Sequence, residues 1–232
     1  MCTIIVRHMM DDWCSTIIAS NRDEFYDRVA SGPAVLQSEP LIVGGRDARE
    51  GGTWFGLTHG GLFVGLTNQR NFATRDDSLR SRGGLVIEAL EKDSFGGVES
   101  YLSRVDPMTY NEFNLIFGDG QRVCAAYGRR DAREVELEML GEPRIKPRLV
   151  DVLCDSSLPD PSEVPPLPPG APFDEEVARY LQAICVKTPV YGTVSSTIAA
   201  VSPGRVEQYW FSEGPPSETS FEDMVHLTRG GG

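Results

Sequence analysis

The feature of this sequence that most constrains its fold is a recurrence of paired β-rich runs joined by short turns. Residues 53–68, TWFGLTHGGLFVGLTN, place two such runs around His59-Gly60-Gly61, where glycine supplies the positive φ that a tight hairpin needs. Further strand pairs are predicted at residues 2–9 with 13–22, 112–118 with 122–127, and about 190–211 with a turn at Ser202-Pro203-Gly204. The chain therefore predicts antiparallel pairs rather than a parallel doubly wound sheet.

Helical periodicity falls in groups between these hairpins. Ser81 is placed to cap a first helix, a second helix starts near Ser94, and a third is predicted over residues 174–185. Hairpins alternating with such groups are typical of a layered α+β fold. We expect the helices to lie on the outer faces of the sheets.

Two kinds of segment predict irregular structure. Residues 30–52 contain proline and glycine and are predicted as loop with a short strand at Leu41–Val43. Residues 158–172 hold seven prolines, which predicts a stiff surface connection. The tail over residues 226–232 is expected to fray.

Charge and cysteine content exclude several classes of partner. The formal net charge is −12, so nucleic acid and anionic membrane surfaces are unlikely partners. Five cysteines at irregular spacings predict a reducing compartment rather than a disulfide framework. The apolar run near the start is too short for a signal peptide or a membrane span. We therefore expect a soluble, cytoplasmic protein. We also expect no metal cofactor, because the three histidines are far apart in the sequence. The oligomeric state is not predicted.

Cys2 directly follows the initiator Met1, and removal of Met1 would leave a thiol and a free α-amine on one residue. A nucleophile beside an N-terminal amine base is a complete catalytic pair. The amine titrates near about 8 and an ordinary thiol near about 8.5, so proton transfer between them is nearly balanced. The alternative is that Cys2 is a small apolar residue opening the first strand.

Residues 19–28, ASNRDEFYDR, resemble the signature of the Asn-Arg-Asp-Glu (NRDE) family, which includes the transport and Golgi organisation homologues. Further segments match in register: Met1-Cys2, Gly51-Gly52-Thr53-Trp54-Phe55-Gly56, Leu66-Thr67-Asn68, Ser81-Arg82-Gly83, Phe113-Asn114-Leu115 and Tyr191-Gly192-Thr193. That family in turn resembles the N-terminal-nucleophile hydrolases, particularly the cysteine members that cleave bile-salt and penicillin amides. The resemblance implies a four-layer αββα sandwich of two antiparallel sheets, with Cys2 as nucleophile. We expect one such domain over residues 1–232.

The roles around the nucleophile can be assigned residue by residue. Cys2, at the end of a central strand, would attack a carbonyl while its amine takes and returns the proton. Asn21 and Asp23 share one pleat face and Arg22 and Glu24 the other. We expect Asp23 to orient the amine and Arg22 to favour the thiolate, which needs a bend or bulge in that strand. Alternatively Arg22 and Glu24 form an ordinary salt bridge and Asp23 caps the turn.

Two asparagines and three other side chains complete the candidate site. Asn68 ends its strand and can offer an amide donor to an oxyanion. Asn114 points opposite to its neighbours, toward either a site or solvent. Asn21, Trp54 and Thr67 are candidate substrate contacts, and for Trp54 a place in the core is the alternative.

The sequence departs from the family pattern at two places. Val194 stands where members commonly have an arginine, and residues 140–153 lack the usual Leu-Ser-Asn stretch. Three functions therefore stay open: hydrolysis of a small amide through an acyl-thioester on Cys2, non-catalytic carriage of a hydrophobic ligand, or a scaffold without a small-molecule role. The resemblance implies haem or an acyl-CoA or lipid for the carrier. Against haem, His8 is the nearest histidine and lies roughly 20 Å along the strand from Cys2.

Overall fold

Two antiparallel sheets form the centre of the protein. The structure, a computed structural model, describes residues 2–9, 12–69, 75–140, 149–164, 166–167 and 173–229. The strands are β1 (Cys2–His8), β2 (Thr16–Phe25), β3 (Ala30–Ser38), β4 (Leu41–Asp47), β5 (Phe55–Thr58), β6 (Phe63–Asn68), β7 (Phe113–Gly118), β8 (Val123–Gly128), β9 (Glu136–Met139), β10 (Tyr191–Ser202), β11 (Arg205–Ser212) and β12 (Glu222–Asp223). A five-stranded sheet has the order β1-β2-β10-β11-β12, and a seven-stranded sheet runs from β3 to β9 in chain order. The predicted α+β fold of two antiparallel sheets is confirmed.

Helices cover the outer faces of both sheets. They are α1 (Arg82–Leu90), α2 (Phe95–Leu102), α3 (Leu149–Leu153) and α4 (Glu175–Tyr180). Leu85 and Phe95 from the first two helices pack with Phe117 of the seven-stranded sheet in one buried cluster. On the opposite side, Leu153 of α3 packs against Ile17 of the five-stranded sheet. The layers therefore follow the order helix, sheet, sheet, helix.

The core between the sheets is apolar and closed to solvent. Ile18 and Tyr209 of the five-stranded sheet pack there against Val43 and Phe63 of the other sheet. Full burial of such a side chain stabilises the fold by about 1.5–3 kcal/mol. Alternation along β2 follows from this packing, because Ile18 faces the other sheet while Ile17 and Ala19 face outward. The same alternation decides which residues of the Asn-Arg-Asp-Glu segment meet the space between the sheets.

The short strand predicted at Leu41–Val43 lies within β4, but the prediction of loop over the rest of residues 30–52 was wrong where β3 and β4 pair. The pairing register shifts between Ser31 and Ala34, so Pro33 falls in an irregular part of an edge strand. A missing N–H costs no ladder bond at such a position. Because proline and glycine are typical of turns, their presence led to the prediction of a loop. The segment is a hairpin whose second strand, β4, is largely buried.

Two helix predictions needed correction. α4 ends at Tyr180, whereas the prediction extended to residue 185. Its start is capped by Asp174, whose carboxylate accepts from the Val177 N–H. Ser81 does precede α1, but its side chain makes no capping hydrogen bond, whereas Ser94 caps α2 by accepting from the Gly97 N–H. The short helix α3 was not predicted.

The end of the chain is more ordered than expected. Residues Val225–Arg229 form a 3-10 helix in which Thr228 is buried. His59 donates from Nδ1 to the Thr228 carbonyl at 2.8 Å, so fraying from residue 226 was a wrong prediction as far as residue 229. Residues 230–232 lie outside the described residues. In the proline-rich segment, the described Pro161–Glu163 forms an exposed 3-10 turn, and residues 165 and 168–172 lie outside the described residues. That residues 1–232 form one domain stays a prediction.

Candidate active site

The candidate nucleophile opens the first strand at one end of the five-stranded sheet. Cys2 pairs with Arg22 of β2, and Arg22 pairs with Ser195 of β10, so the three residues form one row across three strands. Ile4 and Ile18, which continue the alternation of Cys2 and Arg22, pack between the sheets. The row therefore faces the other sheet. β1 is an edge strand, so the expectation of a central strand was wrong.

Several of the predicted residues line one cavity of about 550 Å³. Cys2, Arg22, Asp23, Trp54 and Asn68 all contribute to its wall. The Asn68 amide makes no hydrogen bond with any other residue that the structure describes, so it is available to a ligand. The wall that holds the thiol thus also holds three polar groups of different chemistry: a guanidinium, a carboxylate and a side-chain amide.

Arg22 is held in place by the Trp54 ring and by an ion pair with Asp47. Its guanidinium lies 4.4 Å from the centre of the Trp54 ring, and Nη2 is 3.7 Å from Asp47 Oδ2. Arg28 donates from Nε to the same Asp47 oxygen at 2.8 Å and lies 3.5 Å from Glu24. Burial alone would raise the pKa of Asp47, but the hydrogen bond from Arg28 holds that pKa below its usual range. Arg22 therefore pairs with Asp47 rather than with Glu24, and Glu24 pairs with Arg28.

Asp23 is buried and fixed by residues of the neighbouring strand. The Thr193 hydroxyl donates to Asp23 Oδ1 at 2.6 Å, and the Tyr191 hydroxyl donates to the Asp23 carbonyl at 2.8 Å. The pairing register shifts between Thr193 and Ser195, which leaves Val194 as the extra residue of a bulge. The sequence analysis expected a bend or bulge in the strand that holds Arg22 and Asp23, which is β2. The bulge lies instead in β10, and the pairing of β1 with β2 is continuous.

The Cys2 thiol is held in its neutral form. Burial raises its pKa, and the negative charge of Asp23 acts in the same direction. The Asp23 backbone N–H and the positive charge of Arg22 oppose this rise without overcoming it. Attack on a carbonyl therefore requires a base that takes the thiol proton, and the role expected of Arg22 in favouring the thiolate stays a prediction.

Three of the predicted site residues do not line the cavity. The Asn21 amide donates to the Leu153 and Ile184 carbonyls, both at 2.9 Å, and its Oδ1 accepts from Ser196 Oγ at 2.7 Å. With its side chain fully committed and no exposed surface, Asn21 joins structural segments rather than contacting substrate.

Asn114 and Thr67 are the other two exceptions. They lie opposite each other on β7 and β6, where Asn114 Nδ2 donates to Thr67 Oγ1 at 3.1 Å. Neither residue is part of the cavity wall, so the structure lends no support to a role for Asn114 in catalysis or for Thr67 in substrate binding, and both roles stay predictions.

Arg82 is a site residue that the sequence analysis did not single out. It is the first residue of α1, lines the cavity, and donates from Nη1 to the Glu112 carbonyl at 2.9 Å. Burial, with the nearby charge of Arg75, lowers the pKa of Arg82 to about 10, so it stays protonated at neutral pH. The available signal was the matching segment Ser81-Arg82-Gly83, to which no role had been attached.

No histidine contributes to the cavity wall in the described part of the chain. His8 lies at the far end of β1, where its Nδ1 bonds Thr16 Oγ1 at 2.7 Å. The same residues contain no group of three or more side chains arranged to bind a metal ion. Among the helices that the structure describes, none has the length and apolar character needed to cross a bilayer.

The layer order and the placement of Cys2 define the fold class. The structure resembles the crystal structure of the C2A mutant of conjugated bile acid hydrolase from Clostridium perfringens, with a TM-score of 0.57 over 100% of this chain and 95% of that chain. The two sequences are 9% identical, so the likeness concerns the fold alone. The fold is that of the N-terminal-nucleophile hydrolases.

The sequence comparisons identify the family. A family model described as Transport and Golgi organisation 2 matches residues 1–141. The Transport and Golgi organization protein 2 homolog of Bos taurus is 31% identical, and that of Homo sapiens is 30% identical. Each alignment covers 80% of this chain and 81% of the relative. The chain belongs to the Transport and Golgi organisation 2 family, as its Asn-Arg-Asp-Glu segment predicted.

Proposed function

We propose that the protein is a cysteine amidohydrolase that cleaves a small amide through an acyl-thioester on Cys2. The observation that carries this proposal is the position of Cys2 on the cavity wall beside Arg22, Asp23 and Asn68. The fold similarity to a bile acid hydrolase supports the reaction class, and the residue replaced in that C2A mutant is also a cysteine at position 2.

The proposed reaction begins with removal of Met1. The freed α-amine of Cys2 takes the thiol proton, which the raised pKa of that thiol makes necessary. Sγ then bonds to the amide carbonyl carbon, and the Asn68 amide donates to the developing oxyanion. The C–N bond breaks as the leaving amine receives the proton. Water next attacks the thioester, the C–S bond breaks, and a carboxylic acid is released as the thiol is restored.

The neighbouring charges have separate roles in this scheme. Asp23, fixed by the Thr193 hydroxyl, orients the α-amine and stabilises its protonated form. Arg22, fixed by Trp54, faces the sulfur and lowers the free energy of the thiolate that forms on the way to attack. Arg82 supplies a cation on the same wall that pairs with no described carboxylate, which reduces the significance of Val194 at the family's arginine position.

The test measures turnover of N-acyl amino acids and acyl p-nitroanilides by the wild type and by three variants. Cys2→Ala should abolish turnover, whereas Cys154→Ser should leave it unchanged because Cys154 is a half-buried cysteine outside the cavity wall. Asp23→Asn should lower kcat more than it raises KM, because its role is to orient the base. Turnover that survives in Cys2→Ala would contradict the proposal.

A carrier role is the second candidate, and the neutral state of the Cys2 thiol favours it. The cavity of about 550 Å³ falls within the usual range of ligand sites, and Trp54 and Leu66 provide apolar wall. An acyl-CoA or lipid fits this wall better than haem. No described histidine reaches the cavity, and burial opposes the thiolate that would otherwise bind iron. Binding of palmitoyl-CoA that is equal in wild type and Cys2→Ala, without turnover on any amide, would favour the carrier.

We also retain the prediction of a cytoplasmic location. It is supported by the five cysteines, all of which are free thiols. A reducing compartment maintains cysteines in this state. Fractionation of cells that express the tagged protein tests it.

A further inference from the structure

The cavity collects positive charge in a strongly acidic protein. The whole chain has 22 basic and 34 acidic residues. The cavity wall, in contrast, has seven arginines and six carboxylates. An excess of cationic groups in a recess attracts an anionic ligand, because the low-dielectric walls concentrate the field.

Most of the arginines on this wall are already paired with carboxylates. Arg28 bonds Asp47 at 2.8 Å, and Arg75 lies 3.0 Å from Glu50 and 2.7 Å from Asp77. These pairs neutralise one another and leave little net attraction for a ligand. The exception determines what the cavity can recognise.

The half-buried exception is Arg82, since the other wall arginine that pairs with no carboxylate among the described residues, Arg130, is exposed. The only hydrogen bond of Arg82 with the described residues runs from Nη1 to the Glu112 carbonyl at 2.9 Å, and none of the described carboxylates pairs with it. A neutral carbonyl fixes the guanidinium without cancelling its charge. The edge formed by Nε and Nη2 remains available, and two parallel N–H groups on such an edge match the two oxygens of a carboxylate or phosphate.

Arg82 is also close enough to the nucleophile to act on the same molecule. Both residues line the one cavity of about 550 Å³, so a molecule that fills this cavity can contact both. Trp54 and Leu66 contribute apolar surface to the same wall. A molecule that fills this space can therefore place a carbonyl near the sulfur, an apolar portion on the wall and an anion at Arg82.

We infer that the substrate carries an oxyanion, a carboxylate or a phosphate, which binds the Nε–Nη2 edge of Arg82 while its acyl carbonyl faces Cys2. This inference rests on the proposed function, because it takes Cys2 as the reacting group. It adds the class of substrate: an anionic amide rather than a neutral one. Arg82 is thereby a substrate-binding residue.

The test uses two thiol reagents of nearly equal shape that differ in charge. Iodoacetate is anionic and iodoacetamide is neutral, and each forms a carbon–sulfur bond with release of iodide. Labelling of Cys2 is followed by peptide mass spectrometry in the full-length wild type, in Arg82→Gln and in Arg104→Gln. Arg104 is an exposed arginine outside the cavity wall and serves as the matched control.

We expect Arg82→Gln to lower the ratio of the iodoacetate rate to the iodoacetamide rate at Cys2 by about fivefold, a typical value for one partly solvated charge pair. The ratio removes any general effect of the substitution on the reactivity of the thiol, since both reagents react with the same thiolate. Arg104→Gln should keep the wild-type ratio. An unchanged ratio in Arg82→Gln would overturn the inference, even where iodoacetamide labels Cys2 readily and the proposed function stands. Failure of both reagents to label Cys2 in any variant would instead contradict the proposed function, and with it this inference.

Protection experiments separate the two sources of oxyanion. Benzoate, phenyl phosphate and neutral benzamide are each added before iodoacetamide. Protection by benzoate alone assigns a carboxylate, and protection by phenyl phosphate alone assigns a phosphate. Equal protection by benzamide would show that the cavity does not select for charge and would count against the role of Arg82.

Discussion

Substitution of Asn21 provides a demanding test of the structural argument, because this residue opens the family signature without lining the cavity. Its side chain makes three buried hydrogen bonds, to the Leu153 carbonyl, the Ile184 carbonyl and the Ser196 hydroxyl. Each such bond contributes about 1 kcal/mol net, and more where its loss leaves a buried group unpaired. We therefore expect Asn21→Ala to lower the free energy of unfolding by about 3 kcal/mol.

Asn21→Asp makes the same test depend on pH. The new carboxyl can still accept from Ser196, but it places oxygen where two carbonyl oxygens require a donor. Burial and these oxygens favour the protonated acid, so its pKa in the folded state rises above the unfolded value of about 3.9. The folded state then binds more protons than the unfolded state. Stability relative to the wild type is retained below the unfolded pKa and is lost as pH rises through the raised folded pKa.

Urea unfolding followed by circular dichroism at pH 5.5 and pH 8.0 measures this difference, with the wild-type change subtracted. Each unit of pKa shift that lies within that interval corresponds to about 1.4 kcal/mol of added loss at the higher pH. Asn114→Asp is the matched control. Its partner, the Thr67 hydroxyl, can rotate to donate to a carboxylate, so we expect a cost below about 1 kcal/mol at either pH. The reasoning fails if Asn21→Asp equals Asn114→Asp at pH 8.0.

Three further predictions concern the cavity wall. Trp54→Ala should destabilise the fold by about 3 kcal/mol, because it removes the ring over Arg22, and urea unfolding beside Trp54→Phe checks this value. Gly52→Ala should cost about 1–3 kcal/mol and reduce turnover, since an added Cβ would overlap the backbone of Gly83 at the start of α1, which thermal unfolding and kinetics measure together. Labelling of Cys2 by iodoacetamide should keep accelerating above pH 9, where an unstructured cysteine peptide of pKa about 8.5 levels off, because burial raises the pKa of the Cys2 thiol. A labelling profile that coincides with that of the peptide would contradict the burial argument.

The parts of the fold that follow from local signals were predictable. Each predicted hairpin combines alternation with a turn residue at the right place, as at Gly61 and Gly120, whose φ values are +82° and +84°. β3 was missed because Pro33 is typical of a turn, and only its pairing with β4 shows that the proline falls at an irregular edge position. β9 was missed because it is exposed along its whole length and therefore lacks an apolar pattern.

The candidate site was predictable only where residues match a family segment. Cys2, Arg22, Asp23, Trp54 and Asn68 belong to such segments, and all five line the cavity. The role of Asn21 depends on partners that are 132 and 163 residues away, which no local pattern reveals.

The position of Arg82 on the cavity wall depends on where α1 begins and on which way that end of the helix faces. Its role in the site could therefore be recognised only from the tertiary structure.

The most direct test of the central claim is the intact mass of the purified protein during turnover. The protein is mixed with p-nitrophenyl hexanoate, quenched in acid within the reaction time and digested for peptide mapping. We expect a chain that lacks the mass of one methionine residue and has one hexanoyl group on the peptide that starts at Cys2. The adduct should disappear on incubation at pH 8 and be absent from Cys2→Ala. A chain that retains Met1, or that has its hexanoyl group on another residue while hydrolysis proceeds, would contradict the claim that Cys2 is an N-terminal nucleophile.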